Sequence, residues 1–175
     1  MSKALLKKEL EKMSASQLRH LILETYEARK EFKEYFEFFL NPDAGKLREK
    51  YENLILKEFQ RYKRGYSKVR ITKVRRYVKD FESFQPGWDM VLILRINTIL
   101  QMDRAALLMY HTDAQLNSYV KFIMETLLMV DRNQQADKVL KLLDALFAQD
   151  KNNKSYFYRL IREALEDFQP APELK

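Results

Sequence analysis

An all-α fold, built from antiparallel helical hairpins, is what this chain predicts, on three observations. Only three glycines, Gly45, Gly65 and Gly87, occur in 175 residues, and each falls where a helix should turn. Glutamate, lysine, leucine and alanine dominate, all good helix formers. Apolar residues recur in steps of three and four, the repeat of one helix face.

The first element is a short amphipathic helix over about Lys3 to Lys12. Ser14 then sits three residues before Gln17, the spacing of a capping box, and opens a helix that should run to Leu40. Leu18, Leu21, Thr25, Ala28, Phe32, Tyr35 and Phe39 form its stripe. Asn41-Pro42-Asp43 separates it from the next helix: Asn41 suits a cap and Pro42 a first turn, where no backbone donor is needed. That second long helix should reach about Lys63, burying Leu47, Tyr51, Leu54, Ile55, Phe59 and Tyr62.

Gly65 suits a left-handed stop, and Ser67 the cap of a helix to about Ser83. Its buried side holds Ile71, Val74, Tyr77, Val78 and Phe81. Gln85-Pro86-Gly87 breaks the chain again. The helix from about Gly87 to Leu108 is apolar on more than one side, through Val91, Leu92, Leu94, Ile96, Ile99, Leu100 and Met102, and should be the most buried element. Thr112 or Asp113 caps a helix to about Val130, and another spans about Gln134 to Ala148. Lys151-Asn152-Asn153-Lys154 reads as a polar loop, Ser155 as the cap of a last helix to about Phe168, and residues 169–175 as a flexible tail.

Pro42 and Pro86 stand 44 residues apart, and a third break follows at Arg132-Asn133. The expected organisation is one helical domain over 1–168, with helices in 3–40 followed by two-helix units at 42–84, 86–130 and 133–168. Both a HEAT/armadillo-like superhelix and an irregular multi-helix bundle satisfy that pattern.

Three stretches carry a resemblance: Phe32 to Asp43, Lys63-Arg64-Gly65-Tyr66-Ser67-Lys68, and Asp80 to Gly87. The chain resembles, over most of its length, a family of small bacterial proteins known as a domain of unknown function. The resemblance implies a soluble helical protein and brings no activity, cofactor or site residue with it.

Several function classes find no support. There is no cysteine, so no disulfide or thiolate chemistry. His20 and His111 are the only histidines, and neither lies in a zinc or di-iron spacing; hydrogen-bonded surface or boundary positions suit both. Glu24, Glu27, Glu31 and Glu34 share a helix face, which reads as solvated rather than metal-binding. No phosphate loop, dinucleotide fingerprint or nucleophile elbow is present. No catalytic residue, metal or cofactor is therefore expected. Apolar runs such as Met90–Leu94, closed by Arg95, fall far short of a bilayer span, and Met1 to Lys8 holds no apolar stretch of signal length, so the expected place is the cytoplasm without membrane contact.

Charge supplies the functional expectation. Ten of the 32 Lys/Arg residues lie between Lys57 and Lys79, with Glu58 the only acid among them, so that stretch carries +9 and the rest of the chain −2, for a net +7. Such a concentrated positive field attracts polyanions. Lys68, Arg75, Arg76 and Lys79 fall within about a third of the circumference of a helix, opposite Val74 and Phe81. Lys63 and Arg64 occupy the preceding connection, and Ser67 would open a helix N-terminus to an anion. Tyr62, Tyr66 and Tyr77 offer rings for unpaired bases, although Tyr62 and Tyr77 fall on faces expected to be buried. Arg70 points to the apolar side, as a structural partner for a buried acid or carbonyl. The expectation is a non-catalytic module that binds nucleic acid or another polyanion through Lys63, Arg64, Ser67, Lys68, Arg75, Arg76 and Lys79. The alternative is a scaffold that recognises a protein partner.

Overall fold

A computed structural model describes residues 2–131, 136–150 and 155–168. They form an all-α structure with one small β-hairpin. The helix start expected at Gln134, the break at Arg132-Asn133, the Lys151–Lys154 loop and the 169–175 tail lie outside the described residues. The chain divides into two compact units, residues 1–43 and 44–175.

In the first unit, α1 spans Lys3–Glu11, α2 Ala15–Ala28 and α3 Lys30–Leu40. Ser14 forms the full capping box at the start of α2: its hydroxyl accepts from the Gln17 N–H, and the Gln17 side chain accepts from the Ser14 N–H. The single helix expected from Ser14 to Leu40 is not formed. Arg29 stands between α2 and α3 in extended backbone, φ −131° and ψ 113°, and α3 packs back against α2. The break sets two short apolar faces against each other, which one straight helix cannot do. On α3 the rings of Phe32 and Phe36 lie 4.9 Å apart, and those of Phe36 and Phe39 6.2 Å. No side chain of these three helices is fully buried.

The second unit contains α4 (Ala44–Phe59), β1 (Tyr62–Lys63), β2 (Tyr66–Ser67), α5 (Ile71–Ser83), α6 (Trp88–Leu108), α7 (Asp113–Asp131), α8 (Ala136–Phe147) and α9 (Tyr156–Glu166). Pro42 lies in the link before α4 rather than in its first turn. α6 packs against α4, α5 and α7, and α7 packs against α8 and α9. This central position explains why α6 is apolar on several sides: Val91, Leu92, Leu94, Ile99, Met102 and Ala105 are all buried. Arg95, also buried, is satisfied by donating to Glu82 at 2.7 Å and Thr126 at 3.2 Å, with its guanidinium over the Phe122 ring. Thr112 and Ser155 cap α7 and α9 as the sequence leads one to expect, each hydroxyl accepting from a backbone N–H three residues on.

Two expected helices give way between α4 and α5. α4 ends at Phe59 instead of Lys63, and Ser67 does not open a helix. Residues 62–67 form a two-stranded antiparallel hairpin instead, with Tyr62 opposite Ser67 and Lys63 opposite Tyr66. Its two turn residues, Arg64 (φ 51°) and Gly65 (φ 79°), are both left-handed, as a tight two-residue hairpin turn of this hand requires. α5 begins only at Ile71, after Arg70.

Candidate nucleic-acid interface

The hairpin is held in place by backbone bonds that no helix pattern encodes. The Ser67 N–H donates to the Tyr110 carbonyl at 2.8 Å, and the Tyr110 N–H donates to the Gly65 carbonyl at 2.9 Å. Lys68 N–H extends the pairing by donating to the Arg61 carbonyl at 2.7 Å. The segment between α6 and α7 thus becomes a third strand-like edge, bridged in parallel from Tyr110 to Tyr66.

His111 braces this junction. Its Nδ1 lies 2.8 Å from the Met109 carbonyl and therefore carries the proton, leaving Nε2 to accept from the Tyr119 hydroxyl at 3.1 Å. Burial holds the imidazole below its ordinary pKa, in the neutral form that this geometry needs, and pushes the Tyr119 hydroxyl upward. His20, in contrast, is exposed on α2 beside Glu24 at 3.3 Å.

The ten cations of residues 57–79 divide into two groups. One group is paired with acids, although Arg61, Arg70 and Arg76 stay exposed. Glu58, only 4% exposed, accepts from Arg70 at Nε (2.9 Å) and Nη2 (2.6 Å), with Lys73 at 3.4 Å and Arg61 at 3.8 Å. The Arg70 hydrogen bond is the main reason the Glu58 carboxyl sits below the usual range, and it raises Arg70 in return. Arg70 thus has the buried acid expected of it. Arg75 is also engaged: its Nη1 donates to both Glu125 oxygens, at 2.7 and 2.9 Å, and its guanidinium lies over Phe122. Arg76 has Asp80 at the 4.0 Å limit and lies beside the Tyr77 ring, 5.9 Å away. Ser67 is buried, its hydroxyl accepting from the Val69 N–H at 3.3 Å, and α5 begins only at Ile71, so Ser67 does not open a helix N-terminus to an anion.

The other group faces water. Lys57, Lys63, Arg64, Lys68 and Lys79 are exposed, and no ion pair engages them among the described residues. Lys63, Arg64 and Lys68 are brought together on the hairpin, with Lys57 near the end of α4. Lys79 stands apart, about 12 Å along α5 from its first residue. The expected basic helix face of Lys68, Arg75, Arg76 and Lys79 is not formed as one unit, because Lys68 precedes the helix and Arg75 is paired with Glu125 on α7.

Aromatic rings lie in the same place. Tyr62 is 67% exposed, Tyr66 59% and Tyr110 73%, and the Tyr66 and Tyr110 rings are 5.5 Å apart at 34°. Tyr62 was expected in the core; the early end of α4 turns it out. Tyr110 was not anticipated, since it is 44 residues from Tyr66 and carries no charge signal. Arg104 on α6 is also exposed, and no ion pair engages it among the described residues. Beneath the hairpin, between α4 and α6, opens a cleft of about 390 Å³ whose wall includes Tyr62, Gly65 and Arg104.

Among the described residues no helix is long and apolar enough to cross a membrane, and no group of three or more His, Cys, Asp or Glu side chains is placed to hold a metal ion. A family model described as a family of unknown function (DUF6155) matches residues 1–166, and the chain belongs to that family. No curated protein and no solved structure gives a significant match.

Proposed function

We propose that this member of the family is a non-catalytic interaction module that binds single-stranded nucleic acid on its hairpin. One observation carries the reading: the exposed Tyr66–Tyr110 ring pair is bordered by Lys63, Arg64 and Lys68, none of which is neutralised by an acid among the described residues. Ring faces stack on unpaired bases with little regard to sequence, and the cations follow the phosphates. A duplex hides its base faces in its own stack, so single strands are the better fit. A polyanion lacking bases, such as polyphosphate, would use the cations and leave the tyrosines idle.

Fluorescence anisotropy with a labelled twelve-nucleotide single strand and the matching duplex, at 50 and 200 mM salt, tests this. Tighter binding of the single strand is expected, with each phosphate contact adding about −0.7 to the slope of log affinity on log salt. Lys63→Glu/Arg64→Glu should weaken binding and make that slope shallower. Absence of binding at 50 mM salt, or equal affinity for the duplex, refutes the proposal.

A second reading, an adaptor that docks a protein, is favoured by Leu107 and Leu108, 52% and 70% exposed at the end of α6. A stoichiometric partner retained after nuclease treatment, with no affinity for oligonucleotides, would support it.

A further inference from the structure

We infer that the cleft beneath the hairpin receives one unpaired nucleobase of the bound strand and gives this surface a base preference; the inference rests on the single-strand reading above. The cleft belongs to the same surface, since Tyr62 and Gly65 are part of both the hairpin and the cleft wall. Its volume of about 390 Å³ falls within the roughly 300–1,000 Å³ of small-molecule sites.

The chemistry of the wall matches a base more closely than other occupants. Phe59 and Ala105 are buried and give it an apolar lining, while Tyr62 and Leu108 stand exposed at its rim. A base has two apolar faces that such surfaces cover. Its edge carries donors and acceptors, and Gln60 and Gln101, both lining the cleft, offer an amide oxygen and an NH₂ group each. Neither amide has a hydrogen-bond partner among the described residues. Arg104, also on the wall and free of any ion pair among those residues, supplies the charge for the phosphate attached to that base. An acyl chain would leave two amides and a guanidinium without partners, and a sugar would leave the apolar lining uncovered.

The test compares twelve-nucleotide dA, dC and dT strands by anisotropy at 50 mM salt, with dAMP, dCMP and dTMP titrated alongside. The wild-type protein should separate the three strands by about tenfold or more, the scale of a hydrogen-bonded base contact. Gln101→Leu, which removes one amide, should reduce that spread to less than about threefold. Gln60→Trp fills the cleft from an exposed position and should reduce it similarly, so the result does not depend on one variant folding. Lys63→Glu should weaken all three strands alike and preserve the spread.

Strands bound with equal affinity by the wild-type protein, or a spread that persists in both cleft variants, overturn the inference while the single-strand reading stands. A mononucleotide bound as tightly as its twelve-mer overturns it too, by making the cleft a small-molecule site. If no strand binds at all, both readings fall together.

Discussion

Glu58 at the end of α4 receives a two-pronged hydrogen bond from Arg70, the residue that leads into α5, at 2.9 and 2.6 Å. This pair closes the base of the hairpin, and with Lys73 and Arg61 it directs three cations at one buried carboxylate. The local rule is that a carboxylate in such company resists protonation. Because the folded value of Glu58 lies below its ordinary 4.5, its contribution to stability is complete above about pH 4.5 and is lost as pH falls through the depressed folded value. Glu58→Gln should therefore be less stable at pH 7 and should flatten the acid limb of the stability curve. Urea unfolding at pH 7, 4.5 and 3 measures both, and curves that stay parallel for the two proteins would contradict the assignment.

A buried pair with the opposite sign lies between α6 and α9. The Tyr158 hydroxyl donates to Asp103 Oδ1 at 2.6 Å, and both residues are buried. Desolvation outweighs that hydrogen bond and holds the Asp103 carboxyl above its ordinary 3.8. The folded state then binds the proton more tightly than the unfolded chain, so stability declines as pH rises from about 3.8 through the raised folded value. Asp103→Asn keeps an acceptor for Tyr158 and removes the charge; it should raise the melting temperature at pH 7 and leave it little changed at pH 3. Tyr158→Phe leaves the carboxylate unpartnered and should cost about 1–3 kcal/mol at pH 7, read by urea unfolding.

What the amino-acid pattern disclosed, and what it hid, follows from how local each determinant is. The caps at Ser14, Thr112 and Ser155 were legible because each is complete within four residues. The burial of α6 was legible from Leu92 and Leu94 lying on nearly opposite sides of one helix. Arg70 was legible as a structural cation from its place against the apolar side. The early end of α4 was not: Phe59 and Tyr62 keep a three-residue step, so helical periodicity runs straight through the first strand. The turn was masked as well, because its first left-handed position holds Arg64 where asparagine or aspartate is usual. The docking edge at Tyr110 is fixed by backbone hydrogen bonds to Gly65 and Ser67, more than 40 residues away, and backbone groups leave no mark in side-chain patterns.

Arg64 itself breaks a local preference at the exposed turn of the hairpin. A side chain other than glycine, asparagine or aspartate at φ 51° costs about 1 kcal/mol. Arg64→Asn should recover part of that and raise the melting temperature, while losing one phosphate contact and making the salt slope shallower by about 0.7. Stability and affinity would then move in opposite directions in a single variant. Gly65→Ala should destabilise by about 1 kcal/mol on backbone grounds alone, since φ 79° is strained for alanine while its Cβ would meet only Tyr110 Cδ2 at an ordinary 3.9 Å. Thermal melts and salt titrations of the two variants check both statements.

Tyr66 and Tyr110 provide the sharpest separation of binding from folding, since each ring is mostly exposed and the two lie against each other. Truncating either to alanine should lower single-strand affinity by about 1–3 kcal/mol per base lost from the stack. The cost to folding should stay below about 1 kcal/mol, because an exposed ring pair is worth little beyond its small buried area. Since the rings are in contact, the two losses should not add: the double variant should lose less than the sum, by 0.5 kcal/mol or more on the usual scale of neighbouring residues, at roughly that magnitude. Tyr66→Leu keeps apolar area without an aromatic face and distinguishes stacking from simple burial; it should bind as weakly as Tyr66→Ala. A leucine variant with wild-type affinity would show that the ring face is not what the strand contacts.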